Sequence, residues 1–202
     1  MKFDEYKEKY LKLDDRFFAE VFIYGEYDPV REMKKLDTIV DVGALAGEFS
    51  FWVQNLGAKN IYAIEGDPDA YKELEENIKE FEFDRVKPFY LALGRTNRTG
   101  HITVSHRGGG LLSGDISKTD RDVEVQTLAT FMNKNKIKHI DLLKIDIEQG
   151  ETDVFSAEDF ASVADKIDRI MGEHVCSNSK EILERYGFMY EGYGRGCLFS
   201  RT

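Results

Sequence analysis

From Thr38 onward the chain alternates short apolar runs with helix-patterned segments, and this alternation restricts the fold more than any other feature. TIVDVG reads as a buried strand that ends in a glycine turn. Phe49, Trp52, Val53 and Leu56 then recur at helical spacing, and Gly57 suits the end of that helix. NIYAIE predicts a second strand. Asp67-Pro68 opens a helix with an acid at the N-cap and a proline in the first turn, and Tyr71, Leu74, Ile78 and Phe81 form its core face. VKPFYLAL predicts a third strand and HITVS a short extra one. Thr127 to Lys136 reads as a helix, and HIDLLKIDI is apolar enough to be a central fourth strand. Helical stretches follow near Thr152 to Phe155 and Phe160 to Val163, and then KIDRIMGEHV as a fifth strand. Asn178 followed by Glu181 resembles a capping box for a helix through Tyr186. FMYEGY and GCLFSR predict a terminal hairpin. Strands alternating with helices imply an α/β fold, a doubly wound, mostly parallel sheet with helices on both faces and an antiparallel C-terminal hairpin.

A different pattern precedes the first strand. Phe3, Tyr6, Tyr10, Leu13, Phe17 and Val21 step by threes and fours, one apolar stripe on a helix that Gly25 and Asp28-Pro29 end. Residues 1–36 are expected to form a helical cap and residues 37–202 the main domain. The stripe is expected to cover apolar surface near the strand ends or to make a subunit contact, which leaves a homodimer open. At 202 residues there is room for one ordinary domain. Lys and Arg total 28 against 38 Asp and Glu, a net charge of −10 that disfavours a nucleic-acid partner. The densest basic stretch is Lys134, Lys136, Lys138 and His139. No apolar run is long enough to span a membrane. The opening MKFDEYKEKY carries acids where an export signal needs an apolar run. Cys176 and Cys197 lack metal-like spacing and are too few for a disulfide scaffold, so a reducing cytoplasm is the expected location.

In an open parallel sheet, ligands sit beyond the carboxyl ends of the strands. The first such turn reads Asp41-Val42-Gly43-Ala44-Leu45-Ala46-Gly47. A dinucleotide fingerprint needs glycines where this chain has Leu45 and Glu48. Glu48 also puts an anion where a pyrophosphate would sit. The turn therefore suits a cofactor without phosphate, and the Asp41 carboxylate is expected to attract a cationic ligand. The second strand ends in Glu65-Gly66-Asp67, with Glu65 22 positions after Gly43, a spacing suited to accepting both hydroxyls of a ribose. A cofactor with a ribose, no phosphate and a positive centre is S-adenosylmethionine.

At this point the segment from Asp41 to Ile78 resembles the cofactor half of a class I methyltransferase, and LALG matches that fold's third motif. IDLLKIDIEQGETDVF is similar to the signature of FkbM-type methyltransferases, whose fourth strand ends in K-x-D-x-E-G-x-E. The resemblance implies a seven-stranded Rossmann-like sheet. It implies S-adenosylmethionine against Asp41, Gly43, Ala44, Gly47, Glu65, Gly66, Asp67, Ala92 and Leu93. Two departures stand out: the family usually has Asn in place of Leu45 and Gly in place of Gln149.

Catalytic candidates lie at later strand ends. Lys144, Asp146 and Glu148 share one side of the fourth strand. Asp146 is expected to face the methionine end of the cofactor, and Glu148 to handle the substrate hydroxyl. His174 ends the fifth strand and has a natural pKa for proton transfer. These residue types also suit a divalent metal, but their spacing is not diagnostic and no metal is predicted. RGGGLLSGD reads as a lid or a plain loop, with His101 and His106 nearby. No Asn/Asp-Pro-Pro-aromatic motif follows the fourth strand, which lowers the case for an enzyme that methylates bases. The expected reaction is O-methylation of a small molecule or glycan. The alternatives are a non-catalytic nucleoside-binding protein, or an RNA or protein methyltransferase.

Overall fold

The computed structural model describes residues 27–103, 111–113, 120–147, 150–172, 175–192 and 196–201. The first strand, β1 (Thr38–Val42), leads through the glycine turn into α1 (Glu48–Asn55). β2 (Asn60–Glu65) leads into α2 (Pro68–Glu80), and β3 (Val86–Tyr90) follows. A small unit comes next: β4 (Ala92–Leu93), β5 (Arg98–Thr103), β6 (Leu111–Ser113) and β7 (Asp120–Gln126). The chain then returns through α3 (Leu128–Lys134), β8 (Leu142–Ile145), α4 (Glu151–Phe155), α5 (Ala161–Ala164) and β9 (Arg169–Gly172). It closes with α6 (Val175–Arg185), β10 (Phe188–Tyr190) and β11 (Cys197–Arg201).

The main sheet has seven strands in the order β10-β11-β9-β8-β1-β2-β3. All neighbours run parallel except β11, which is antiparallel to both β10 and β9. This is the predicted doubly wound α/β sheet with its terminal hairpin. The strand order reverses between β1 and β8, which puts the ligand crevice above those two strands. Period-two alternation builds both faces. Val40, Val42, Leu143, Ile145, Ile170 and Phe199 pack on one side with Phe131, Phe155 and Phe160. Ile39, Ile61, Leu142, Met171 and Leu198 pack on the other with Phe49, Phe51, Trp52 and Leu74. Tyr27 and Val30 join that second face, with the Tyr27 ring 4.9 Å from Phe49. The N-terminal stripe, Phe3 to Val21, lies outside the described residues.

Four local readings differ from the structure. The third strand stops at Tyr90, because Ala92 and Leu93 leave β2 and pair with Val125 and Gln126 of β7. β7 is absent from the sequence reading, since DRDVEVQ is rich in charge; Val123 and Val125 pack on Ile102, and Gln126 is buried beside them. Within the glycine-rich stretch, Leu111–Ser113 is a strand paired with β5 rather than part of a loop; its flanks lie outside the described residues. Asn178 is inside α6, which begins at Val175, so it does not cap that helix. Cys197 is disulfide-bonded, a departure from the cysteine chemistry expected of a reducing compartment. No helix among the described residues is long and apolar enough to cross a membrane.

Candidate functional site

The carboxyl ends of β1, β2 and β8 converge on the turn from Gly43 to Gly47. The Gly43 and Ala44 amides both donate to Ile64 O, at 2.9 and 3.1 Å. The Leu45 amide donates to Glu65 Oε2 at 2.8 Å, and the Asp67 amide donates to Glu65 Oε1 at 2.7 Å. Lys144 Nζ donates to Gly43 O at 2.8 Å, and Asn77 Nδ2 of α2 donates to Ala46 O at 3.0 Å. The ends of β2 and β8 and helix α2 thus each contribute a bond to this one turn.

Gly43 has φ +75°, and a Cβ there would overlap the Asp146 carbonyl oxygen. The residue must be glycine because β8 leaves no room for a side chain. Leu45 also has positive φ, 49°, where a leucine is strained. Asn tolerates that conformation far better, which gives a physical sense to the usual Asn of FkbM-type sequences.

Glu65 is 5% exposed, and both of its oxygens accept backbone amides. Burial raises its pKa, opposed by those two bonds. Each carboxylate oxygen keeps a second acceptor site, as a ribose diol requires. Asp67 caps α2, with Oδ1 accepting from the Asp69 and Ala70 amides. Gly66 lies under Ile102 of β5 and beside Ala92, which brings the small sheet to the rim of the crevice.

Asp41 needs a correction. It is fully buried and does not offer its carboxylate to a ligand. Its Oδ2 accepts from Ser50 Oγ at 2.7 Å, and its Oδ1 lies 3.2 Å from Lys144 Nζ. Burial pulls the Lys144 pKa down, but Asp41, Tyr27 and Asp146 together outweigh it and hold the ammonium above the ordinary lysine range. Glu48, at the start of α1, is buried with Oε1 unpartnered, and burial pushes its pKa up to about 8.

Asp146 is half-buried just past β8, with its amide bonded to Val42 O at 3.0 Å. The Ile147 amide donates to Glu151 Oε1, so α4 fixes the same loop. Glu148 and His174 lie outside the described residues. His101 is on β5, with Nδ1 2.8 Å from Asp122 Oδ1. The sequence reading missed three scaffolding groups: the Lys144 contact to Gly43, Ser50 and Asn77. Of these, Lys144 stands out in the sequence beside Asp146 on the fourth strand, and Asn77 as a polar residue three places after Leu74 on the core face of α2.

The donor set suits a cofactor with a ribose and without phosphate. Glu65 supplies acceptors and the Lys144 ammonium is already engaged, while Glu48, expected to place an anion at the helix start, is buried with its pKa raised and does not do so.

The chain resembles an FkbM methyltransferase from Methylobacillus flagellatus KT at TM-score 0.60 and 14% identity, covering 88% of this chain and 47% of that one. It resembles a precorrin-6y C5,15-methyltransferase from Geobacter metallireducens GS-15 at TM-score 0.54 and 12% identity, covering 88% and 87%. It also resembles TrmK of M. capricolum, solved with S-adenosylhomocysteine, at TM-score 0.51 and 13% identity, covering 86% and 66%. No curated protein sequence matches the chain. At these identities the solved structures establish the fold. Residues 41–194 match the model of the methyltransferase FkbM domain, and with three quarters of its length inside that match the chain belongs to the FkbM methyltransferase family.

Proposed function

We propose that this chain transfers a methyl group from S-adenosylmethionine to a hydroxyl of a small molecule or glycan. The observation that carries the reading is Glu65. It is fixed at the end of β2 by two backbone amides, one of them from the glycine turn, and keeps free lone pairs on both oxygens. Glu65 takes the ribose hydroxyls. Gly43, Ala44 and Gly47 form the turn against the cofactor, Gly66 and Asp67 flank the ribose, and Ala92 and Leu93 give the apolar side. Asp41 acts from beneath, through Lys144.

When bound, S-adenosylmethionine supplies a methyl carbon on a sulfonium, open to in-line displacement. The chain has to hold the acceptor oxygen in line and remove its proton. Asp146 would face the methionine end, where a carboxylate suits a sulfonium. Glu148 and His174 are the candidates for the base.

Calorimetry tests the cofactor assignment. The protein should bind S-adenosylhomocysteine and not NAD. Glu65→Gln should weaken that binding by about 1–3 kcal/mol through loss of charge-assisted bonds. Parental affinity in Glu65→Gln overturns the assignment. With an acceptor found by screening hydroxylated compounds, Glu148→Gln or His174→Ala should lower kcat about 10²–10⁴-fold. Turnover of any such acceptor separates this reading from a binding-only protein.

A further inference from the structure

Lys144 occupies a position where a lysine is costly. It is 5% exposed, on β8, directly across from Asp41 of β1. A buried ammonium needs a compensating charge, and Asp41 supplies it at 3.2 Å. That pair alone would account for the burial. Yet the shorter bond, 2.8 Å, goes to the carbonyl of Gly43.

Gly43 O and the Ala44 amide belong to one peptide unit. Its oxygen is held by Lys144 and its N–H by Ile64 O, so both ends of the plane are fixed. The next amide, that of Leu45, donates to Glu65 Oε2. The plane of this peptide turns through ψ of Gly43 and φ of Ala44, and the missing Cβ at Gly43 frees the first of these. A flip here would turn the Ala44 amide away from Ile64 and shift the Leu45 amide from Glu65.

We propose that Lys144 is a positioning residue for the cofactor, holding the 43–44 peptide so that the Leu45 amide aims Glu65 at the ribose. This rests on the reading of Glu65 given above. It assigns Lys144 work beyond its pairing with Asp41. The relay runs from Lys144 Nζ to Gly43 O, through the peptide to the Leu45 amide, and on to Glu65.

The test separates charge pairing from positioning. Lys144→Met combined with Asp41→Asn removes both buried charges, and Asn keeps an acceptor for Ser50. That full-length protein should unfold near the parental midpoint yet bind S-adenosylhomocysteine at least tenfold more weakly. Ser50→Ala is the comparator: it loosens the same buried cluster without touching Gly43, and should lower the midpoint while leaving affinity within twofold. Parental affinity in the double variant overturns the proposal, as does an equal loss of affinity in Ser50→Ala. If the double variant does not fold, Lys144→Arg is the second variant. It keeps the charge but places its donors differently, so positioning predicts lost affinity, and retained affinity overturns it. Glu65→Gln keeps the two questions apart. If Glu65→Gln loses binding while the double variant keeps it, only the role of Lys144 falls. If the parent binds no S-adenosylhomocysteine, both readings fall.

Discussion

β1 and β8 are joined by an acid and a lysine at each end, and the two ends are built differently. At the amino end, Lys35 Nζ lies 2.6 Å from Asp141 Oδ1, and the lysine side chain is 55% exposed. Asp141 Oδ2 accepts from the Thr38 amide, which ties the strand starts together. His139 Nε2 lies 3.7 Å from Asp141 and 3.0 Å from Asp168, at the surface. At the carboxyl end, Asp41 and Lys144 are both buried, and the lysine also grips Gly43. Only the lysine of the amino-end pair is exposed, Asp141 being buried, and a pair with one partner in water gains less and is more readily screened by salt. A buried pair is costly to form and more costly to break. The amino end stitches two strands and can adapt. The carboxyl end gives up that freedom, and in return fixes the shape of one turn.

Gly43→Ala should break this contrast most severely. The new Cβ meets backbone of β8, which cannot swing aside as a side chain would, and φ +75° adds strain. A cost of at least about 4 kcal/mol is expected, in the range of the largest single-residue effects. Urea unfolding would show it, and a cost below about 1 kcal/mol would mean that the carboxyl ends of β1 and β8 part easily.

Next come the two lysines, compared directly. Lys144→Met leaves Asp41 buried without its ion-pair partner, at an expected cost of about 3–5 kcal/mol. Lys35→Met should shift the midpoint far less, and its effect should fade in molar salt. Equal shifts for the two variants would erase the distinction between the ends.

Opposite pH slopes sharpen the comparison. Near the amino end, Lys59 at 2.6 Å holds the Asp37 carboxyl below its usual range. That stability is present above the unfolded pKa and is lost as pH falls. At the carboxyl end, burial pushes Glu48 up to about 8, from 4.5. The folded chain keeps this proton while the unfolded chain releases it, so stability should fall as pH rises from about 4.5 to about 8. Glu48→Gln should flatten the midpoint's dependence on pH across that window. An unchanged slope would place the Glu48 carboxyl in contact with water.

The sequence made the sheet legible because its strands are short apolar runs between glycine turns and well-capped helices. TIVDV, NIYAIE and LLKI could hardly be anything but buried parallel strands. β7 was not legible, because an edge sheet with one buried face in seven charged or polar-flanked residues leaves only Val123 and Val125 as a signal. At the site, the place of the glycine turn after β1 and of Glu65 at the end of β2 was legible in the sequence. The pairing of Asp41 with Lys144 was not, since it depends on which strands become neighbours: β1 lies next to β8 only because the strand order reverses there. The same register explains why Gly43 is glycine, a matter of contact with Asp146 rather than of room for a ligand.

The smallest expected effect is at Leu45, and it asks whether the carboxyl end is strained as well as rigid. Leu45 has φ 49° and Lys136, exposed after α3, has φ 56°. Both stand in the left-handed region, where a side chain branching at Cγ or an unbranched one pays about 1–2 kcal/mol and Asn pays less. Leu45→Asn keeps the backbone amide that donates to Glu65 Oε2, so the relay to Glu65 is preserved. The leucine side chain is half-buried, so part of the relief is offset by lost apolar contact. A net gain of about 0.5 kcal/mol is expected, within the range found when a strained residue is replaced by a compatible one. Lys136→Asn should gain at least as much, because no burial is lost at that exposed site. Urea midpoints at a constant slope would read both. If Lys136→Asn gains and Leu45→Asn loses, the leucine is held by packing strong enough to outweigh its strain. The turn would then be fixed from its apolar side as well as by Lys144, Glu65 and Asn77.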